Sequence, residues 1–133
     1  MLVVARRLAA LTALGIIVGC TDGVSAAVAK ARAGDPTLLC RAVCERVSTC
    51  NAVDAFEGVP ACTTRCVEDE ELWADPCREA VVGLSACELQ RSCDELRSIL
   101  GDVERAPTDA CEAERRATLA CRPESEPFIY FQF

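Results

Sequence analysis

The chain has 133 residues, 14 of them basic and 21 acidic, with no histidine and a formal net charge of −7. That length allows one small domain, and the acidity argues against nucleic acid as a partner, because phosphate backbones are met with clusters of Lys and Arg. Without histidine there is no Ser-His or Cys-His dyad and no imidazole base.

Arg6 and Arg7 are the only charges before an apolar run, Leu8 to Val18, broken only by Thr12 and Gly15. A short basic start, about ten apolar residues and a small residue ahead of a cut describe a secretory signal. The run falls short of the roughly 20 residues that a membrane-spanning helix needs. Its end, Ile17-Val18-Gly19-Cys20, resembles the lipobox of bacterial lipoproteins, with Ile where Leu is commonest. The resemblance implies a signal peptide over residues 1–19, a diacylglyceryl group on the Cys20 sulfur, cleavage before Cys20, and acylation of the new amine by a palmitate-type chain. Anchoring by two or more acyl chains is stable, at about 0.8 kcal/mol per buried CH₂. By the same resemblance, Thr21 in place of Asp after the lipidated cysteine implies the outer membrane of a bacterial cell envelope, on its periplasmic or its surface face. Loss of Arg6 and Arg7 takes the net charge from −7 to −9. Peripheral attraction to anionic head groups is therefore disfavoured, and the lipid is the expected link to the membrane.

Residues 20–35 have no large apolar side chain and, after Cys20, no cysteine; they read as a lipid-anchored tether with a transiently helical middle. Residues 36–122 read as a cysteine-rich helical domain. Asp35-Pro36 is an N-cap with proline at the first helical position, and Leu39, Val43 and Val47 form an apolar stripe beside Cys40 and Cys44. Pro60 can open a second helix carrying Cys62 and Cys66, and Asp75-Pro76 repeats the start signal for a third with Cys77, Val81, Leu84 and Cys87 on one side. Ser92-Cys93-Asp94-Glu95 is a capping box ahead of Leu96, Ile99 and Leu100, with Gly101 as the stop. Thr108 or Asp109 can cap a last helix, whose expected inner stripe is Ala110, Ala113, Ala117, Ala120 and Cys121. The expectation is an all-α, disulfide-rich bundle of about five short helices.

Eleven cysteines are present. With Cys20 assigned to lipid, ten remain: Cys40, Cys44, Cys50, Cys62, Cys66, Cys77, Cys87, Cys93, Cys111 and Cys121. An even number in a small exported chain reads as a disulfide framework. Zinc is the rival, since close cysteine pairs also suit metal, but the chain offers no histidine and the compartment is oxidising; no cofactor is expected. Cys40/Cys44 and Cys62/Cys66 each lie one helical turn apart on a face. Two such helices placed antiparallel form a ladder, Cys40 with Cys66 and Cys44 with Cys62, and the arrangement resembles the twin Cys-x-x-x-Cys hairpins of mitochondrial import chaperones. Cys77 with Cys121 is a weaker expectation from two antiparallel helices. Cys44-Glu-Arg-Val-Ser-Thr-Cys50 also resembles Cys87-Glu-Leu-Gln-Arg-Ser-Cys93. The whole series is similar to small, mostly uncharacterised cysteine-rich lipoproteins of myxobacteria, a resemblance that implies class and location and no activity.

Catalytic signals are weak. Gly83-Leu84-Ser85-Ala86-Cys87 misses the Gly-x-Ser-x-Gly elbow at its last residue, no Cys-x-x-Cys redox pair occurs, and Glu68-Asp69-Glu70-Glu71 reads as a solvated face rather than a cation loop. The first expectation is a non-enzymatic, lipid-anchored interaction or structural module with an envelope protein as its partner. The alternatives are a thiol- or metal-handling periplasmic protein and, behind it, an enzyme. Residues 123–133 form an aromatic tail in which Phe128, Tyr130, Phe131 and Phe133 are candidate docking residues; it is expected to fold back over the Ala-rich helices, against the readings of an exposed docking strand or a disordered terminus.

Overall fold

A computed structural model describes residues 21–100 and 110–121. Seven helices form among the described residues: α1 (Thr21–Arg32), α2 (Thr37–Cys50), α3 (Val59–Glu68), α4 (Glu70–Trp73), α5 (Arg78–Leu89), α6 (Cys93–Leu100) and α7 (Glu112–Cys121). No strand occurs among them. The chain is an all-α, disulfide-rich bundle with two more helices than its start signals announce.

The first addition is a correction. Residues 21–32, expected as a tether, form α1, which packs against α2 and α5. The reason is a stripe of small residues: Ala27 and Ala31 are buried, with Val28 partly buried, and Val24 lies on the same side. These positions follow i, i+3, i+4, i+7. Alanine contributes little area, but it lets two helix backbones come close. Arg32 closes the end of α1 with an ion pair to Glu79 at 2.8 Å, so the C-terminus of α1 lies beside the start of α5. The second addition, α4, is one turn. Asp69 caps it by accepting from the Leu72 N–H at 3.2 Å, and Trp73 is buried with its Nε1 donating to the Cys66 carbonyl at 2.8 Å.

The other helices begin near their start signals. Asp35 Oδ1 accepts from the Thr37 N–H at 3.1 Å, and the same hydrogen bonding, with the Thr37 side chain first, holds the Asp35 carboxyl below its ordinary pKa. Pro60 lies in the first turn of α3. The capping box of α6 is reciprocal: Ser92 Oγ accepts from the Glu95 N–H at 3.2 Å, and Glu95 Oε2 accepts from the Ser92 N–H at 3.0 Å. α2 stops at Asn51, which adopts the left-handed conformation (φ 47°) and returns its N–H to the carbonyls of Ser48 and Val47, a conformation that asparagine tolerates better than most residues. α5 starts at Arg78 rather than at Pro76, because residues 74–77 form a turn closed by the Cys77 N–H on the Ala74 carbonyl.

Two antiparallel hairpins, α2–α3 and α5–α7, organise the bundle. α5 is the central element, packed by α1, α2, α4 and α7, and Val81, Val82, Leu84, Ser85 and Glu88 are all buried on it. Leu39, Val43 and Val47 of α2 and Leu96, Ile99 and Leu100 of α6 complete the apolar core with Leu72 and Trp73. The expected alanine stripe of α7 is the second correction. Ala110 and Cys121 of that stripe pack against the core, but Ala113, Ala117 and Ala120 are exposed, and the inward positions are Cys111 and Thr118, with Arg115 half-buried. Cys111 and Cys121 are both bonded to α5, which fixes the face of α7 that turns inward; the exposed alanines point the other way.

Candidate functional site

All ten cysteines of residues 21–133 are paired. Cys40–Cys66 and Cys44–Cys62 form the ladder between α2 and α3, the pairing that their spacing predicts. Cys77–Cys121 and Cys87–Cys111 join α5 to α7 at its two ends, the first of them also expected from the sequence. Cys50–Cys93 ties the end of α2 to the start of α6. The two resembling segments thus have corresponding roles. Cys44 and Cys87 each bond to the start of the partner helix of their hairpin, and Cys50 and Cys93 bond to each other across the hairpins. Two cations reinforce that junction: Arg97 Nε donates to the Cys50 carbonyl at 2.9 Å, and Arg46 Nη2 donates to the Arg91 carbonyl at 2.7 Å. Arginine near a helix C-terminus satisfies carbonyls that have no partner within the helix.

Among the described residues, no three His, Cys, Asp or Glu side chains are grouped to hold a metal ion. The acidic run of residues 68–71 is divided between two helices, with Asp69 used as the cap of α4. Ser85, the serine of the imperfect elbow, is buried within α5, and its hydroxyl has no hydrogen-bond partner.

The most unusual side chain is one that the sequence did not single out. Glu88 lies on α5 one turn beyond Ser85, is 1 % exposed, and neither of its carboxylate oxygens has a hydrogen-bond partner. Burial pushes its pKa up to about 8, against a smaller opposing pull from Arg115 on α7. Near neutral pH it is held mostly as the uncharged acid, since an isolated buried carboxylate is very costly. Two turns back along the same seam Thr118 of α7 lies against Ala80, its Oγ1 donating to the Glu114 carbonyl at 3.0 Å and to the Ala80 carbonyl at 3.4 Å. The α5–α7 seam thus mixes polar groups with the apolar half-cystines and Ala110 that pack against the core. No sequence pattern marks Glu88; only the knowledge of which face of α5 is covered would have done so.

An open depression of about 280 Å³ lies between α2 and α3, lined by Arg41, Val59, Pro60, Thr63 and Thr64. It brings one cation beside two hydroxyls. Cys20 and the aromatic residues Phe128, Tyr130, Phe131 and Phe133 lie outside the described residues. Comparison with protein-family models, with curated proteins and with solved structures finds no match to this chain.

Proposed function

We propose that the protein is a lipid-anchored, non-enzymatic module of the bacterial cell envelope, in which a covalently braced helical bundle presents a rigid surface to an envelope protein. The observation that carries this reading is the division of the cysteines. Ten of the eleven pair among themselves, which leaves Cys20, the residue closing Ile17-Val18-Gly19-Cys20, without another cysteine to pair with. Five disulfides are compatible with an oxidising compartment, and no helix among the described residues is long and apolar enough to cross a membrane. A rigid scaffold lowers the ordering cost of binding a partner. Placement at the outer membrane follows from Thr21 in the position after the anchor.

The test is Cys20→Ser, made in the full precursor. The wild-type protein is expected in the membrane fraction after a high-salt wash, with an N-terminal peptide whose mass carries acyl chains; the variant is expected in the soluble fraction or as uncut precursor. A wild-type N-terminus without acyl chains, on a protein that washes off in salt, would overturn the reading. Reproducible free thiols or stoichiometric zinc in the native protein would move it to thiol or metal handling.

A further inference from the structure

We infer that the bundle sits directly on the bilayer head groups, held end-on by α1, rather than floating on a tether. The inference rests on the lipid-anchor reading of Cys20. A lipoprotein domain is free to move away from its membrane only as far as the chain between the anchor and the first packed element allows. Here Thr21, the residue after the anchor and about 3.8 Å from it along the backbone, already belongs to α1. α1 is not a loose helix: Ala27 and Ala31 are in the core, and the Arg32–Glu79 pair closes its far end. The anchor is therefore joined to the core through a helix, with no flexible stretch between them.

The helix directions then decide which end faces the lipid. Arg32 sits beside Glu79, so the end of α1 meets the start of α5 and the beginning of α1 lies at the opposite end. Arg46, near the end of α2, donates to the Arg91 carbonyl just beyond α5, so α2 and α5 run together and α1 runs against both. The membrane end accordingly holds the close of α2, the 51–58 connection, the close of α5 and the Cys87–Cys111 bridge. The far end holds the starts of α2 and α5 and the close of α7, where the Cys77–Cys121 bridge lies. Leu38 and Leu119, exposed by 38 % and 47 %, belong to that far end, which faces the compartment and whatever partner the module meets. The membrane end carries Asp54, Glu57, Asp94 and Glu95 beside Arg46, Arg91 and Arg97, charges that nearly balance and give it no net attraction to anionic lipid. Its contact is imposed by the short link and holds on neutral vesicles.

The test uses the lipidated full-length protein in zwitterionic phosphatidylcholine vesicles containing a lipid with a nitroxide on its head group. Asp54→p-azidophenylalanine and Ala120→p-azidophenylalanine, both at exposed positions, each carry a fluorophore without disturbing the cysteines. The two ends of the bundle are separated by roughly the length of α5, about 18 Å at 1.5 Å per residue. The label at 54 is expected to be quenched severalfold more than the label at 120. Ten Gly-Ser residues inserted between Thr21 and Asp22 add up to about 35 Å of reach and should erase that contrast. Equal quenching at the two positions, or stronger quenching at 120, in protein whose N-terminal mass shows acyl chains would overturn the seated arrangement and leave the anchor standing. A contrast that survives the insertion would overturn the role of the short link. Absence of acyl chains would instead remove the anchor reading on which the inference rests.

Discussion

The α2–α3 and α5–α7 hairpins share one covalent plan and are filled differently. Each is antiparallel and carries two nested disulfides, Cys40–Cys66 outside Cys44–Cys62 in the first and Cys77–Cys121 outside Cys87–Cys111 in the second. In the first, α2 buries Leu39, Val43 and Val47 along with its cysteines, so the bridges reinforce an apolar core. In the second, α7 buries only Thr118 from its helical span, and its Arg115 acts on an uncharged Glu88 of the central helix. There the half-cystines themselves, with Ala110, supply the apolar contact that α7 makes with the core. The difference shows that a disulfide can supplement packing in one half of a domain and replace it in the other.

The largest expected effect comes from the group that makes the second seam polar. Glu88 has a pKa of about 8 in the folded chain, against 4.5 as its reference value. Because the folded value is the higher one, the stability associated with the uncharged acid is fully present below about pH 4.5 and is lost as the pH rises to 8. Glu88→Gln should stabilise the protein on the order of 4–5 kcal/mol at pH 9, where the wild-type carboxyl must ionise, and change it by about 1 kcal/mol or less at pH 5. Denaturant titration at the two pH values reads this directly. Parallel pH profiles for the two proteins would mean that Glu88 keeps an ordinary carboxyl pKa in the folded chain and overturn the reading of it as a buried uncharged acid.

The next comparison removes one bridge from each hairpin. In the chain-entropy picture, loops of 44 and 18 residues are worth about 4 and about 3 kcal/mol respectively. Cys77→Ala with Cys121→Ala should therefore cost more than Cys44→Ala with Cys62→Ala, and the pattern of amide exchange should differ as well. α7, with little apolar surface to hold it, should lose protection while α5 keeps its own, whereas α3 should stay protected until the whole domain unfolds. Equal costs, with α7 still protected, would show that the polar seam holds itself.

The sequence was most legible where one signal acts alone. Proline and capping residues mark the starts of α2, α3 and α6 because caps are local chemistry, and the paired four-residue spacing led to the α2–α3 ladder because that spacing is the pitch of a helix. It was least legible where tertiary context overrides a local pattern. α1 was hidden by its composition: a stripe of Val24, Ala27, Val28 and Ala31 has the right period, but its small area resembles that of a linker. α4 is a single turn with no apolar period of its own. Glu88 looked like any surface acid, since nothing in Cys87-Glu88-Leu89 reveals that α7 will lie over it. The inner face of α7 was set by where Cys111 and Cys121 bond, and the alanine periodicity, although real, lost to two covalent links.

The smallest expected effect tests that last point and the aromatic tail together. Ala113, Ala117 and Ala120 face outward, so Ala117→Lys should change the stability of the oxidised protein by less than about 0.5 kcal/mol, as exposed substitutions generally do. Helix propensity does not argue otherwise, because lysine is nearly as good a helix former as alanine. The corresponding change on the inner face of the first hairpin, Val43→Lys, would put an unpaired charge into the apolar core and should prevent folding. A cost above about 1 kcal/mol for Ala117→Lys, abolished when residues 128–133 are deleted, would assign the outer face of α7 to Phe128, Tyr130, Phe131 and Phe133. The second hairpin would then have an apolar layer after all, on its outside, and the contrast with α2–α3 would be one of placement rather than of kind.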